Sequence, residues 1–305
     1  VCLLCAAALA PAALARDAEA ALFPRALGSL GLPGATVGTV EWTGVAGVVL
    51  EVEGTRVAFD PFVTRPGLLA TVFLPARPDA GLVARAFPRL DAVFVGHTHF
   101  DHAMDLPAVA RSSPGATIHG SETTAEACRR SGVDPARLAV ARDGDAVSVG
   151  PFRVEAVASR HGVVPLFSRI DRERLPRRGL PWTALRWPRG EVLAWRVEVS
   201  GRSVHVHGSA GIDDAALARQ APCDVLVACV AARRGTPRFL ERLCERLRPE
   251  VFVPCHHDDF FRPLSSPPRP VATLRADALL EECEALARAH GTRTVPLPRG
   301  VPVPF

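Results

Sequence analysis

The eleven residues from Val95 to Asp105, VGHTHFDHAMD, hold three of the chain's ten histidines and two aspartates, directly behind the apolar run Ala92-Val93-Phe94-Val95. At the end of a buried strand, the His97-x-His99 spacing turns two imidazoles to the same side of an extended loop. Asp101 and His102 follow at once and reach a neighbouring position. Imidazole and carboxylate together are borderline ligands suited to zinc, iron or manganese. A bare HxH pair is weak evidence, because strand-end histidines often only hydrogen-bond. Four potential ligands within six residues point to a metal site rather than a polar turn.

The elements that must position these residues read as a layered α/β chain. TVGTVEWTG, GVVLEVEG and TRVAFDPF are successive strands with turns at Gly44 and Gly54-Thr55, and DAVFV is a short buried fourth. AMDLPAVARS and SETTAEACRRSG read as helices flanking the strand ATIHG, the second with Ser121 as N-cap and Gly132 past its end. DAVSVG and FRVEAVAS form a hairpin around Gly150-Pro151, and EVLAWRVEVSGRSVHVHGS forms another around Ser200-Gly201. The last third alternates strand and helix: DVLVACV, TPRFLERLCERL, EVFVPC and RADALLEECEALARAH, closed by Gly291. Local pairing followed by strand–helix alternation predicts one layered domain over residues 35–305, with an irregular Arg-, Pro- and Trp-rich loop at 163–190.

Composition narrows the chemistry. The chain of 305 residues is 48% hydrophobic and 22% charged, an ordinary globular balance. All 36 basic residues are arginine, and tyrosine is absent, which excludes lysine Schiff bases and tyrosine acids. A net charge of +4 is small, and the denser stretch from Arg169 to Arg189 is broken by prolines and acids, so it reads as a solvated loop. With no recognisable module or basic stripe, nucleic-acid binding is not expected. Residues 1–15, VCLLCAAALAPAALA, are uncharged and too short to span a bilayer, which takes about 20 residues. They suit an export signal with a missing basic start, followed by an N-terminal extension over 16–34. The expected location is thus periplasmic or secreted, with cytoplasmic as the alternative. Six cysteines follow that segment, an even number compatible with disulfides, but several lie in apolar runs where a buried free thiol is commoner.

The segment His97-Thr98-His99-Phe100-Asp101-His102 resembles the HxHxDH signature of the metallo-β-lactamase-fold hydrolases, and the likeness extends from about Thr36 to Val295. The branch it most resembles contains the ascorbate-6-phosphate lactonase-like proteins and the N-acyl-phosphatidylethanolamine phospholipase D relatives. Asp60-Pro61, His161 and the Pro254-x-His256 strand end stand where that branch has them. The resemblance implies a four-layer αββα fold with His97, His99 and His161 around one metal and Asp101, His102 and His256 around another. One station departs: in HVHGSAG, Ser209 replaces the aspartate that bridges two metals in the family. Three histidines at one metal and Asp-His-His at the other, with serine at this station, also resembles one subclass of true metallo-β-lactamases. The change therefore does not imply lost activity.

Among the other candidates, Asp60 is expected to orient a ligand or a turn, and His207 is a weaker candidate for contacting one. His257 is expected to point away from His256, while His119 and His290 read as structural or surface residues. Asp258 and Asp259 read as capping or surface residues. The implied cofactor is zinc, one ion or two, with manganese or iron(II) as substitutes. A metal-bound water, its pKa lowered to around 7, would attack the substrate, with Asp101 orienting it and taking its proton. That chemistry predicts a hydrolase for an ester, lactone or related bond of a small molecule. The alternatives are a phosphodiesterase on a lipid or nucleotide, and a metal-binding protein without turnover because of Ser209. The arginines of the 163–190 loop would serve an anionic substrate, Trp182 and Trp187 an apolar one.

Overall fold

Two seven-stranded sheets stack face to face. The computed structural model describes residues 19–163, 175 and 182–305. The export-signal stretch and Arg169, Arg172, Arg174, Arg177 and Arg178 lie outside the described residues. The chain first lays down β1 (Thr39–Gly44), β2 (Gly47–Val52), β3 (Thr55–Phe59), β4 (Ala92–Phe94), β5 (Thr117–Gly120) and β6 (Leu138–Val140). It then lays down β7 (Ala146–Val149), β8 (Phe152–Ser159), β9 (Val192–Val199), β10 (Arg202–His207), β11 (Val225–Cys229), β12 (Val251–Cys255) and β13 (Arg293–Thr294). Finally β14 (Val303–Pro304) returns to pair with β1, so the sheets run β14-β1-β2-β3-β4-β5-β6 and β13-β12-β11-β10-β9-β8-β7.

Sequence pattern explains these elements. β8 alternates, with Phe152, Val154 and Ala156 buried between Arg153 and Glu155. β11 and β12 are apolar throughout and buried at every position, as parallel strands covered on both faces must be. The β9–β10 hairpin turns on Ser200 and Gly201, both at positive φ (47° and 78°), which matches the twist of the paired strands. Trp42, Leu50, Phe59 and Phe94 of the first sheet share one core with Phe152, Val154, Trp195 and Val197 of the second. Phe94 and Trp195 meet across it at 5.1 Å.

Helices Phe239–Leu247 and Ala276–His290 bury Leu240, Leu243 and Leu247, and Leu279, Cys283 and Leu286. These spacings of three and four make one helical stripe each. Helices Ala80–Ala86, Leu106–Ser112 and Glu122–Arg130 contribute to a second core with the first sheet. The outcome is an α/β metallo-β-lactamase architecture of helix, sheet, sheet and helix. Ser121 caps its helix as anticipated, its hydroxyl accepting from the Thr124 amide at 3.2 Å. All six cysteines of the described residues are free and buried. Residues 19–34 also contribute to the core, with Leu22 and Leu30 buried.

The helix expected over AMDLPAVARS is instead two, Phe100–Ala103 and Leu106–Ser112. Pro107 lies in the first turn of the second, where its missing N–H costs nothing. Asp105, at the junction, accepts from the amides of Val63 and Thr64 at 2.8 Å each. Burial pushes its carboxyl up to about 6, against the opposing pull of those hydrogen bonds.

A folded pKa above the unfolded value means the folded chain binds the proton more tightly. Asp105 therefore adds stability below about pH 4 that is lost as pH rises through 6, on the order of 3 kcal/mol. Denaturant melts of wild type and Asp105→Asn between pH 4 and 7 test this. The variant should lose that part of the pH dependence, and parallel profiles would refute it.

Candidate metal centre

Every candidate side chain sits just past the carboxyl end of a strand, on one shared edge of the sandwich. β3 ends into Asp60, β4 into His97, β8 into His161, β10 into Ser209 and β12 into His256. The motif then turns into the short helix Phe100–Ala103, which brings Asp101 and His102 back beside His97. His97 and His102 lie with ring centroids 3.9 Å apart.

Two trios result. His97, His99 and His161 each offer one ligand atom within 4.8 Å of the others, and so do Asp101, His102 and His256. His97 Nε2 and His99 Nδ1 are 3.1 Å apart. A tetrahedral zinc with bonds of about 2.0–2.1 Å would hold two nitrogens at roughly 3.3 Å. In the second trio, Asp101 Oδ2 lies 3.1 Å from His256 Nε2 and 3.9 Å from His102 Nε2.

The far sides of the rings fix which nitrogens face inward. His161 Nδ1 lies 2.8 Å from the Gly162 carbonyl, so its proton belongs there and Nε2 keeps the lone pair. His102 Nδ1 lies 3.0 Å from Asp60 Oδ2, an ion-pair distance although off the line of an ideal hydrogen bond. Burial and the neighbouring imidazoles hold His97 well below the usual histidine range, which keeps its ring neutral. Burial alone would raise Asp101, but His102 and the His256 hydrogen bond outweigh it and hold the carboxyl low. For His102, burial is outweighed by Asp60 and Asp101, which push its pKa up. A neutral His97 and an ionised Asp101 are states a cation needs, and binding at the second trio would displace the proton that Asp60 and Asp101 favour on His102, so the donor types of both trios fit a metal ion.

The supporting residues separate cleanly. Asp60 accepts from Gly96 N at 2.7 Å through Oδ1 and faces His102 through Oδ2. A Cβ on Gly208 would lie 2.4 Å from Asp60 Oδ2, and one on Gly96 2.9 Å from it. His257 points away from the site, stacked 4.4 Å from Trp42, with Nε2 3.2 Å from the Leu22 carbonyl. His207 touches neither trio; its Nε2 lies 2.7 Å from the Gly211 carbonyl and 3.2 Å from Ser159 Oγ. Ser209 Oγ accepts from Gly162 N at 3.4 Å and so supports the backbone after His161. His119 stacks on Phe94 at 4.9 Å.

Three expectations need correction. Asp258 is no surface residue: it is fully buried, pairs with Arg65 at 2.6 Å and accepts from Val45 N at 2.9 Å. Trp182 and Trp187 do not line an opening; both are buried against each other in the core beneath the first sheet. His207 supports the Gly211 turn rather than a trio. Sequence reading missed the Val45 bracket, in which Val45 O accepts from His256 N at 2.6 Å. It also missed the glycines beside Asp60. The signal for both was there in the strand-end positions of Val45, Gly96 and Gly208.

A family model described as a beta-lactamase superfamily domain matches residues 55–257. No curated protein matches the chain. Among solved structures, Igni18, a metallo hydrolase from Ignicoccus hospitalis, is 17% identical with a TM-score of 0.58, covering 88% of this chain and 98% of its own. A possible metal-dependent hydrolase from Veillonella parvula is 17% identical with a TM-score of 0.56, covering 89% of this chain and 100% of its own. CmlA, a diiron β-hydroxylase from Streptomyces venezuelae, is 14% identical with a TM-score of 0.57, covering 90% of this chain and 55% of its own. At these identities the likeness shows the fold.

The contact at Gly208 gives a test of the supporting shell. Gly208→Ala should displace the Asp60 carboxylate and weaken metal binding at the Asp101, His102 and His256 trio by about 10–100-fold. Binding at the three-histidine trio should stay near the wild-type value. Calorimetric zinc titration reads both, and an unchanged second equivalent would contradict the role given to Asp60.

Proposed function

The chain belongs to the beta-lactamase superfamily domain family, and from that premise we propose a metal-dependent hydrolase built on two ions. His97, His99 and His161 would hold the first, and Asp101, His102 and His256 the second. The observation that carries this reading is the convergence of six ligand atoms into two trios at one sheet edge. Three imidazole ligands favour zinc. Two histidines with a carboxylate also suit iron(II) or manganese, and the similarity to a diiron protein keeps iron in view for the second ion.

When bound, the metal supplies Lewis acidity and lowers the pKa of a coordinated water to around 7. The protein's own groups do the rest. Asp101, kept ionised and bonded to His256, would orient the attacking water and accept its proton. Asp60 holds the His102 ring in place, and the Gly162 carbonyl does the same for His161. The reaction supported is hydrolysis of an ester, lactone or related bond in a small molecule. The order of Asp60-Pro61, His161 and His256 supports the lactonase-like branch. Ser209 offers no bridging carboxylate, and with its hydroxyl engaged by Gly162 the two ions should differ in affinity. Among the described residues no helix is long and apolar enough to cross a membrane, and the uncharged residues 1–15 support export.

Metal-loaded protein assayed on lactones, p-nitrophenyl esters and bis-p-nitrophenyl phosphate tests the reading. His97→Ala should lose about 1,000-fold or more on the active class, together with the first metal equivalent. His205→Ala, at a buried ring outside both trios, should keep both metals and most of the activity, at a cost in melting temperature. If fully loaded wild type hydrolyses none of the three classes, the reading without turnover stands instead.

A further inference from the structure

The helix Leu68–Phe73 is built inside out. Its buried residue is Thr71, whose hydroxyl donates to the Gly67 carbonyl at 2.7 Å. Its large apolar side chains face outward: Leu68 is 47% exposed, Leu69 74% and Phe73 73%, and the adjoining Leu74 is 58% exposed. Only Val163 and Val301 are other large hydrophobics exposed to this degree among the described residues, so four of six fall within seven positions. Leu69 and Phe73, four apart, stand one above the other on the same side. Such a ridge gains nothing from facing water, and a contiguous exposed patch of this kind marks a contact surface.

The ridge is not a loose excursion. Ala76 N donates to the Trp182 carbonyl at 2.8 Å, and Asp79 N donates to Thr64 Oγ1 at 2.8 Å. Pro75 bridges to Thr183, and the turn Ala184–Arg186 packs on the helix. The ridge also joins the metal-centre side of the molecule. Phe260 lies 5.4 Å from the His256 ring and 4.5 Å from Phe261, whose carbonyl faces Gly67 at the start of the helix.

Charge beside the ridge is mainly positive, with the acids Asp79, Asp259 and Asp277 at its borders. Residues 61–78 and 260–276 contain no acidic residue and carry Arg65, Arg77, Arg262, Arg269 and Arg275. Arg65, Arg269 and Arg275 are engaged with Asp258, Glu19 and Asp277. Arg77 and Arg186 are exposed, Arg262 is half-buried, and none of the three is in an ion pair among the described residues.

We infer that the Leu68, Leu69, Phe73 and Leu74 ridge docks on the surface of an anionic lipid bilayer. Its apolar side chains enter the interface while Arg77, Arg186 and Arg262 meet the headgroups. A second copy of this chain fits less well, because two-fold pairing of the ridge would bring the same arginines face to face. Docking there would present the edge that carries both trios towards the bilayer. Docking of this kind would need neither metal ion nor hydrolytic turnover.

Co-sedimentation with vesicles of phosphatidylglycerol and phosphatidylcholine, against phosphatidylcholine alone, tests it on metal-loaded and metal-free protein. Wild type should bind the anionic vesicles at least tenfold more strongly, and Leu69→Glu with Phe73→Glu should lose that binding tenfold or more. All four native tryptophans are buried, so Phe73→Trp adds one exposed reporter whose emission should shift to the blue on anionic vesicles. The Glu substitutions lie on exposed side chains and should leave the thermal melt unchanged. Wild type left in the supernatant, or a double variant that binds as well as wild type, would overturn the proposal. So would light scattering that shows a wild-type dimer split by the double variant, since the ridge would then be covered by a second copy.

Discussion

The Asp60 carboxylate is the point at which the two sheets meet the trio of Asp101, His102 and His256. It is 1% exposed at the end of β3, where one oxygen accepts from Gly96 N and the other faces His102 Nδ1. A buried carboxylate is costly unless paired and hydrogen-bonded, and these contacts answer that cost. The approach that permits them leaves no room for a Cβ on Gly96 in the first sheet or Gly208 in the second. How closely β10 can lie beside β3 and β4 at this edge is therefore set by two missing side chains. His102 is held by Asp60, His97 packs on His102, and His99 and His161 pack on His97 at 4.8 and 4.9 Å. Asp60 thus fixes the trio of Asp101, His102 and His256 through a direct contact, while the three-histidine trio meets it only through ring packing on His102.

Three of the eight non-glycine residues at positive φ among the described residues stand at the same edge. Asp60 and His256 stand at φ of 44° and 57°, and Val45, bonded to His256, at 52°. For non-glycine residues this conformation costs roughly 1–2 kcal/mol each. At Ser200 a hairpin accounts for it. At Asp60, Val45 and His256 the compensation is local bonding: Asp60 N donates to Phe94 O at 3.0 Å, while Val45 is gripped by His256 N on one side and Asp258 on the other. Arg65 then neutralises Asp258 in a site closed to water. The strained turn lets β12 end abruptly, so that His256 faces Asp101 while His257 turns back into the core against Trp42.

The parts legible in the sequence are those with local causes. Alternation reveals β8, β9 and β10, capping reveals the helix after Ser121, and ligand density reveals the HxHxDH turn. The resemblance then points to His161 and His256, which no local pattern links to that turn. What escaped depends on partners far along the chain. β14 is two residues long and exists because Val303 and Pro304 pair with Val40 and Thr39. Trp182 and Trp187 look like exposed recognition residues in a stretch rich in Arg and Pro, yet tertiary packing places both in the core. Asp258, next to Asp259 in a polar run, gives no hint that Arg65 waits for it 193 positions away. The direction of the Ser209 hydroxyl is set by Gly162, a neighbour only in space.

The same contacts make the two proposed metal positions electrostatically unequal. The trio of His97, His99 and His161 contains no carboxylate, so a divalent ion there keeps its full charge. The other trio includes Asp101, and Asp60 adds a second negative charge one ring away through His102. A carboxylate at position 209 would have lowered the charge shared between them, whereas serine leaves it in place. Positive charge in a buried setting attracts anions strongly, since screening by water is weak there. With two ions bound, serine at this station would leave more of that charge to be met by an entering anion. Under the two-ion reading, a serine at this station would make the three-histidine position the more attractive of the two to an anion.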